Sequence, residues 1–393
     1  MQLGLKLGSN DKNYTEDILS FFKNGYFQYI ELFAAPDSFN KTIDYWKQFK
    51  IPFGIHAPHS FAGMNLSIPE DREKNKIMIQ ETFKFADALN GEYIIFHSGV
   101  NGRIEETVNQ LKPFIDTRCL VENKPLIGLN GEKCLGATPE EIDCIINELH
   151  TGFCFDFGHA ICTANTLKKR PLDYIKEFHK FNPCLYHLTD GDYASEKDTH
   201  LHYGKGTFPL NEILNMVPDG AKITNEAKHI NNLNEFSEDC LYLMSNINLR
   251  KAEYSDIDIL YEWANDPDTR RNSLNQEFIP YNVHKDWFKN KLSSDSVLFF
   301  IYHSELDNIG QVRLEVCGDT ANISYSINPI FRGKKHGSKI LQLIELRIKN
   351  EYPKINKLTA TVRNENIASI KIFKKLNYIE SVEMDITNLY KSL

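Results

Sequence analysis

The feature that most constrains this chain is an eightfold alternation across its first 248 residues. Short apolar runs at Leu3–Gly8, Tyr29–Phe33, Phe53–His56, Tyr93–His97, Cys119–Glu122, Phe153–Phe157, Leu185–Leu188 and Lys222–Glu226 have the length and composition of strands. Thr15–Lys23, Asn40–Phe49, Arg72–Leu89, Ile104–Phe114, Pro139–Leu149, Pro171–Phe181, Pro209–Met216 and Leu233–Met244 read as amphipathic helices. Several of these open on Pro or on an Asx or Thr cap. Eight strand–helix units in about 250 residues is the count and size of an α/β (β/α)8 TIM barrel.

The pattern changes near Ser245–Leu249, so two domains are expected, 1–248 and 249–393. The second part reads as α+β. Its expected helices are Ile257–Asn265, His284–Leu292, Ser338–Glu351 and Asn366–Leu376, and its expected strands Val297–Tyr302, Gln311–Val316, Asn322–Ile327 and Leu358–Val362. The first part holds 24 Lys and Arg against 34 Asp and Glu, and ten of the 13 histidines; the second holds 21 against 19. An acidic, histidine-rich domain points to metal and away from nucleic acid, which demands clustered Lys and Arg. Eight scattered cysteines without a CxxC pair fit a reduced cytoplasm. No apolar run is long enough to span a membrane, and Met1–Asn10 lacks the pattern of a signal segment. A cytoplasmic protein with no membrane or nucleic-acid partner is therefore expected.

In a TIM barrel, functional groups collect at the C-terminal ends of the strands. Read in order, those ends supply His56, His97, Glu122, Asp156, His159, His187, Asp198, His200 and Glu226. Carboxylate and imidazole are ligands of borderline divalent ions, Zn2+ first and Mn2+ second. Nine such groups buried together without a metal would carry a severe desolvation and repulsion penalty. His59 and His202 lie near the cluster in sequence, and Glu31, after the second strand, reads either as a substrate contact or as a solvated group of the barrel rim.

These residues resemble those of the xylose isomerase-like barrels, which include sugar isomerases and epimerases and endonuclease IV-type enzymes. The resemblance implies a single-metal set of Glu122, Asp156, His187 and Glu226, as in the epimerases. It also implies the five additional ligands His56, His97, His159, Asp198 and His200 of the trinuclear endonuclease IV type. The segment ENKPLIGLNGEKCLGATPEEI resembles the epimerase loop, and HSGVN stands where the endonuclease type has HPGSH. Two mechanisms stay open. In one, Glu122 and Glu226 take and return a proton beside a sugar carbonyl; in the other, a metal-bridging Glu122 serves phosphoester hydrolysis.

The second domain carries ISYSINPIFRGKKHGSKILQLIE, a strand, a basic glycine loop and a helix start. Backbone N–H groups at such a start bind pyrophosphate. The stretch resembles the acyl-CoA loop of GNAT acetyltransferases, which implies acetyl-CoA binding by Arg332, Gly333, Lys334, Lys335, His336, Gly337 and Ser338. Lys335 stands where Gly is usual. VRNENIASIKIFKKLNY resembles the GNAT stretch in which Asn366 and Ser369 approach the cofactor, with Phe373 at the usual tyrosine acid position. The segment 249–288 resembles acetyltransferases of UDP-linked 4-amino sugars, through Trp263, Asn265, Asp266, Arg270, Asn272, Ser273, His284 and Trp287. That resemblance implies Arg270, Asn272 and Ser273 as substrate contacts.

The expectation is a bifunctional enzyme of surface-glycan amino-sugar synthesis. It would acetylate a nucleotide-linked amino sugar and perform metal-dependent isomerisation, epimerisation or phosphoester cleavage. A DNA-repair phosphodiesterase with an appended acetyltransferase, and a non-catalytic barrel scaffolding the transferase, are the alternatives.

Overall fold

The computed structural model describes residues 1–218, 220–228, 233–304 and 307–393. It divides into two compact units, Met1–Cys240 and Leu241–Leu393, with the division inside the helix Asn234–Asn248. The sequence reading sets the change at the far end of that same helix.

In the first unit eight parallel strands close into a barrel: β1 (Gln2–Gly8), β2 (Tyr29–Phe33), β3 (Phe53–His56), β4 (Ile94–His97), β5 (Cys119–Glu122), β6 (Gly152–Asp156), β7 (Leu185–His187) and β8 (Lys222–Asn225). The register from Gln2 opposite Lys222 to Leu5 opposite Asn225 completes the ring. The surrounding helices show their buried stripe at helical spacing. Arg72–Leu89 buries Met78, Ile79, Thr82, Phe85, Ala86 and Leu89, which fall three or four apart except where two are adjacent. Pro139–Leu149 starts as its sequence dictates, with Pro at the first turn and the Thr138 side chain accepting from Glu141 N.

Tyr29, Tyr93, Ile95, Leu120, Cys154 and Leu185 form one buried cluster. They come from strands on opposite sides of the ring, so they fill its interior. Two glycines make room for the rings: a Cβ at Gly4 would overlap Tyr29, and one at Gly54 would overlap Tyr93.

The second unit is a seven-stranded mixed sheet. Its strands are β9 (Leu249–Lys251), β10 (Val297–His303), β11 (Asn308–Cys317), β12 (Thr320–Ile327), β13 (Lys357–Arg363), β14 (Ile379–Val382) and β15 (Ile386–Ser392), in the order β14-β15-β13-β12-β11-β10-β9. All neighbours are antiparallel except β12 and β13. Those two pair only from Thr320–Asn322 to Lys357–Thr359 and then separate. Helix His336–Glu351 buries Ile340, Leu341, Leu343, Ile344 and Ile348 against the sheet core. Among the described residues, no helix is long and apolar enough to cross a membrane.

Candidate functional site

Residues two apart on a strand share a face. Two residues beyond the apolar interior cluster stand Glu31, His97, Glu122, Asp156 and His187, so a polar layer rests directly on the apolar one. The nine residues selected from the sequence all fall in it. They form three groups whose ligand atoms lie within 4.8 Å of one another: His56, His97 and Glu122; Glu122, Asp156, His187 and Glu226; and His159, Asp198 and His200. Glu122 belongs to the first two groups and is completely buried. Its Oε2 lies 3.2 Å from His56 Nε2, 3.0 Å from His97 Nε2 and 3.4 Å from His187 Nδ1, and its Oε1 lies 3.3 Å from His159 Nδ1. His159 reaches the layer from the first turn of helix Phe157–Thr166, whose start is capped by Asp156 at 2.7 Å from His159 N.

The donor set suits divalent metal. Among the described residues, Glu122 Oε1, His187 Nδ1 and Asp198 Oδ2 are buried and find no hydrogen-bond partner. Lone pairs left facing one another in this way are what a cation bridges. Two histidines are also held in the ligating tautomer. His56 Nδ1 meets Ala57 O at 2.7 Å and His159 Nδ1 meets Asn123 O at 2.8 Å. A nitrogen facing a carbonyl must donate, so Nε2 is the atom each ring offers.

Without a cation, the layer's charge is carried by protons. Burial raises the Asp156 carboxyl to about 6, helped by Asp198, Glu226 and Glu122 and opposed by His159. Burial works against charge on His187, yet Cys154, Glu226, Glu31 and Glu122 push its pKa well above the usual imidazole value. A metal entering the site would displace such protons.

The sequence reading missed Lys6, a charged residue inside an otherwise apolar strand. Its ammonium contacts Glu226 and lies 3.2 Å from Glu31. Its signal was the alternation of β1, which places Lys6 on the same side as Gly4 and Gly8. His59 stacks near His97 with ring centroids 5.6 Å apart, and burial lowers its pKa to about 3. His202 lies 2.7 Å from Asp239, away from the nine-residue groups.

In the second unit a cavity of about 710 Å3 opens where β12 and β13 part. Residues 322–326 and 360–362 line it, so the unpaired strand edges face it. An extended amide-bearing ligand can pair with such edges. Arg270, Asn272, Ser273 and Asn366 line the cavity, as do Trp287 and His284. Trp263 instead packs in the core. Arg270 also braces its own loop, donating to Asn275 O, Glu277 O and Ser273 Oγ.

The glycine loop leads into helix His336–Glu351. Gly333 and Lys335 have φ of 75° and 67°. The second value explains why glycine is usual at that position, because a Cβ is disfavoured there. The Arg332 guanidinium is occupied away from the loop: Nη2 lies 2.6 Å from Asp266 Oδ2 and 2.8 Å from Thr269 Oγ1. What Arg332 leaves to a cofactor is its backbone. His336 turns its ring to Tyr302, 3.2 Å away. Phe373 is buried and offers no proton. The hydroxyls beside it in the cavity wall are Tyr325 and Ser369, 3.1 Å apart.

Residues 24–241 match the xylose isomerase-like TIM barrel family, and the chain belongs to it. Residues 246–379 match the acetyltransferase (GNAT) domain, so the barrel is fused to a C-terminal GNAT acetyltransferase domain. An uncharacterised protein of Methanocaldococcus jannaschii is 23% identical over 339 residues, which is 84% of this chain and 62% of that protein. The chain thus spans less than two thirds of that relative's length. A D-tagatose 3-epimerase-like protein of known structure aligns at TM-score 0.47 and 18% identity, over 63% of this chain and 97% of its own. The spermidine N-acetyltransferase of Vibrio cholerae, solved with CoA and spermine, aligns at TM-score 0.34 and 14% identity, over 37% and 94%.

Proposed function

We propose that this chain is a bifunctional enzyme of amino-sugar synthesis. Its C-terminal unit acetylates a nucleotide-linked amino sugar from acetyl-CoA, and its barrel cleaves a phosphoester of a sugar substrate with divalent metal.

The observation that carries the acceptor class is the charge of the cavity wall. Arg270, Arg313 and Glu315 are its charged lining residues. The one carboxylate is already met by Lys291 at 2.8 Å and Arg313 at 3.2 Å. A polyamine would bring ammonium groups to a wall whose carboxylate, the one charged acid among the described lining residues, already has two cationic partners, whereas a diphosphate would meet a wall of net positive charge. Trp287 adds an aromatic face to the same cavity. In acetyl transfer the amine must arrive neutral beside the thioester. The parted strand edges and Asn366 would orient the acyl arm, and the helix start would hold the pyrophosphate.

For the barrel, support comes from Glu122. Both its oxygens face imidazoles and it stands in two of the three candidate ligand groups, so in a loaded site Glu122 would be among the residues that hold the metal. That leaves Glu122 poorly placed to remove a proton from carbon. Divalent ions in such a cluster supply stabilisation of charge on an attacked phosphate. Hydrolysis consumes one water, which forms the new P–O bond as the ester P–O bond breaks and the sugar hydroxyl leaves; the buried carboxylates and imidazoles of the chain would hold the metal beside it. The group of Glu122, Asp156, His187 and Glu226 taken alone favours a second reading, a one-metal isomerase or epimerase.

The acceptor reading is tested by incubating the full chain with acetyl-CoA and either a UDP-linked 4-amino sugar or spermidine, following thiol release. The sugar should be acetylated at a kcat/KM at least tenfold higher. The reverse preference would overturn the assignment.

A further inference from the structure

Glu31 on β2 is completely buried in the polar layer of the barrel. Its two oxygens have different partners. Oε2 accepts from Tyr93 Oη at 3.0 Å and Thr224 Oγ1 at 2.9 Å, and lies 3.0 Å from His187 Nε2. Oε1 lies 3.2 Å from the Lys6 ammonium. A carboxylate oxygen with its proton lost only accepts, so the imidazole nitrogen facing it carries hydrogen. The opposite nitrogen, Nδ1, lies 2.9 Å from Glu226 Oε1 and 3.4 Å from Glu122 Oε2.

We propose that Glu31 is a positioning residue that selects Nδ1 of His187 as the atom presented to metal. The choice is opposite to that at His56 and His159, where backbone carbonyls hold Nδ1 and free Nε2. The proposal rests on the metal reading of the barrel.

Glu31 is a poor ligand itself, although it stands with His56 and Glu226 in a group that could hold an ion. The Lys6 ammonium contacts two members of that group and repels a cation there. Three donors already converge on Oε2. Tyr93, Thr224 and Lys6 hold Glu31 in place, and Tyr29 Oη lengthens the chain by meeting Thr224 Oγ1 at 3.0 Å. The ring of His187 is thus oriented by residues of β1, β2, β4 and β8 and the approach to them, before any ion arrives. A carboxylate behind a ligating imidazole fixes its tautomer and raises its basicity, and losing one commonly costs ten- to a hundredfold in metal affinity.

The test compares wild type, Glu31→Met and Glu31→Gln as full chains, each checked by thermal melting. Zn2+ affinity is read by chelator competition, and the His187 Nε2–H by 15N spectra of histidine-labelled protein, assigned with His187→Gln. The Met variant should lose the Nε2–H signal and bind at least one Zn2+ about ten- to a hundredfold more weakly. The Gln variant keeps an acceptor but no charge, and should fall between. If the Met variant does not fold, the folded Gln variant decides. Affinities within twofold of wild type with an unchanged signal would overturn the role. A wild type that binds no Zn2+ would overturn the metal reading instead, and the Nε2–H signal of the metal-free protein would still show whether Glu31 holds the ring; its absence would overturn the proposal.

Discussion

Arg332 shows how one residue can serve two ends. Its place in the loop was legible from the sequence, but its guanidinium partner was not, because Asp266 lies 66 residues away in sequence. Burial opposes ionisation of Asp266, yet the Arg332 guanidinium and Thr269 N–H hold its carboxyl below the usual value. The stability this pair contributes is present above the unfolded carboxyl pKa of about 3.9 and is lost as pH falls through the lowered folded value. Arg332→Ala should therefore cost about 0.5–1.5 kcal/mol at pH 7, and urea unfolding should show that cost shrinking below about pH 4. A cost that grows on acidification would contradict the pair. Lys335 already has the left-handed backbone of a glycine. Lys335→Gly should thus preserve the loop and weaken acetyl-CoA binding by about 0.3–1 kcal/mol, through loss of an exposed charge near a helix N-terminus. Tighter binding in calorimetry would show that the lysine obstructs.

At the scale of elements, the barrel was legible because short continuous apolar runs alternate with amphipathic helical segments. Thr15–Lys23, Arg72–Leu89 and Pro139–Leu149 have the bounds expected from the sequence. Helix Phe157–Thr166 was missed because eight consecutive residues from Phe157 to Ala164 are buried, so no polar face marks a helical period. Pro267–Asn272 is too short for a period to appear. Strand β14 was missed for the opposite reason: all four of its residues are exposed and no alternation survives. The interior glycines give an element-scale prediction. Gly54→Ala would drive a methyl into the buried Tyr93 ring and should cost about 1–3 kcal/mol by overpacking. Denaturant unfolding within 0.5 kcal/mol of wild type would show that the ring has room to move.

At the scale of the molecule, the sequence located the nine candidate ligands because strand ends in a barrel converge whatever lies between them. It could not distinguish ligands from the groups that orient them, since Glu31 and Glu122 look alike in sequence and differ only in what surrounds them. The separation into two units predicts separable chemistry. Glu122→Gln should abolish barrel turnover and leave acetyl transfer within about twofold of wild type, as its partners all lie in the first unit. A parallel loss of both activities would contradict two independent sites. The most direct test of the account is the metal content of the full chain, purified without chelator and measured by elemental analysis. Three ligand groups, two of them sharing Glu122, predict more than one divalent ion per chain; less than one equivalent would contradict the multinuclear site on which the barrel's proposed chemistry stands.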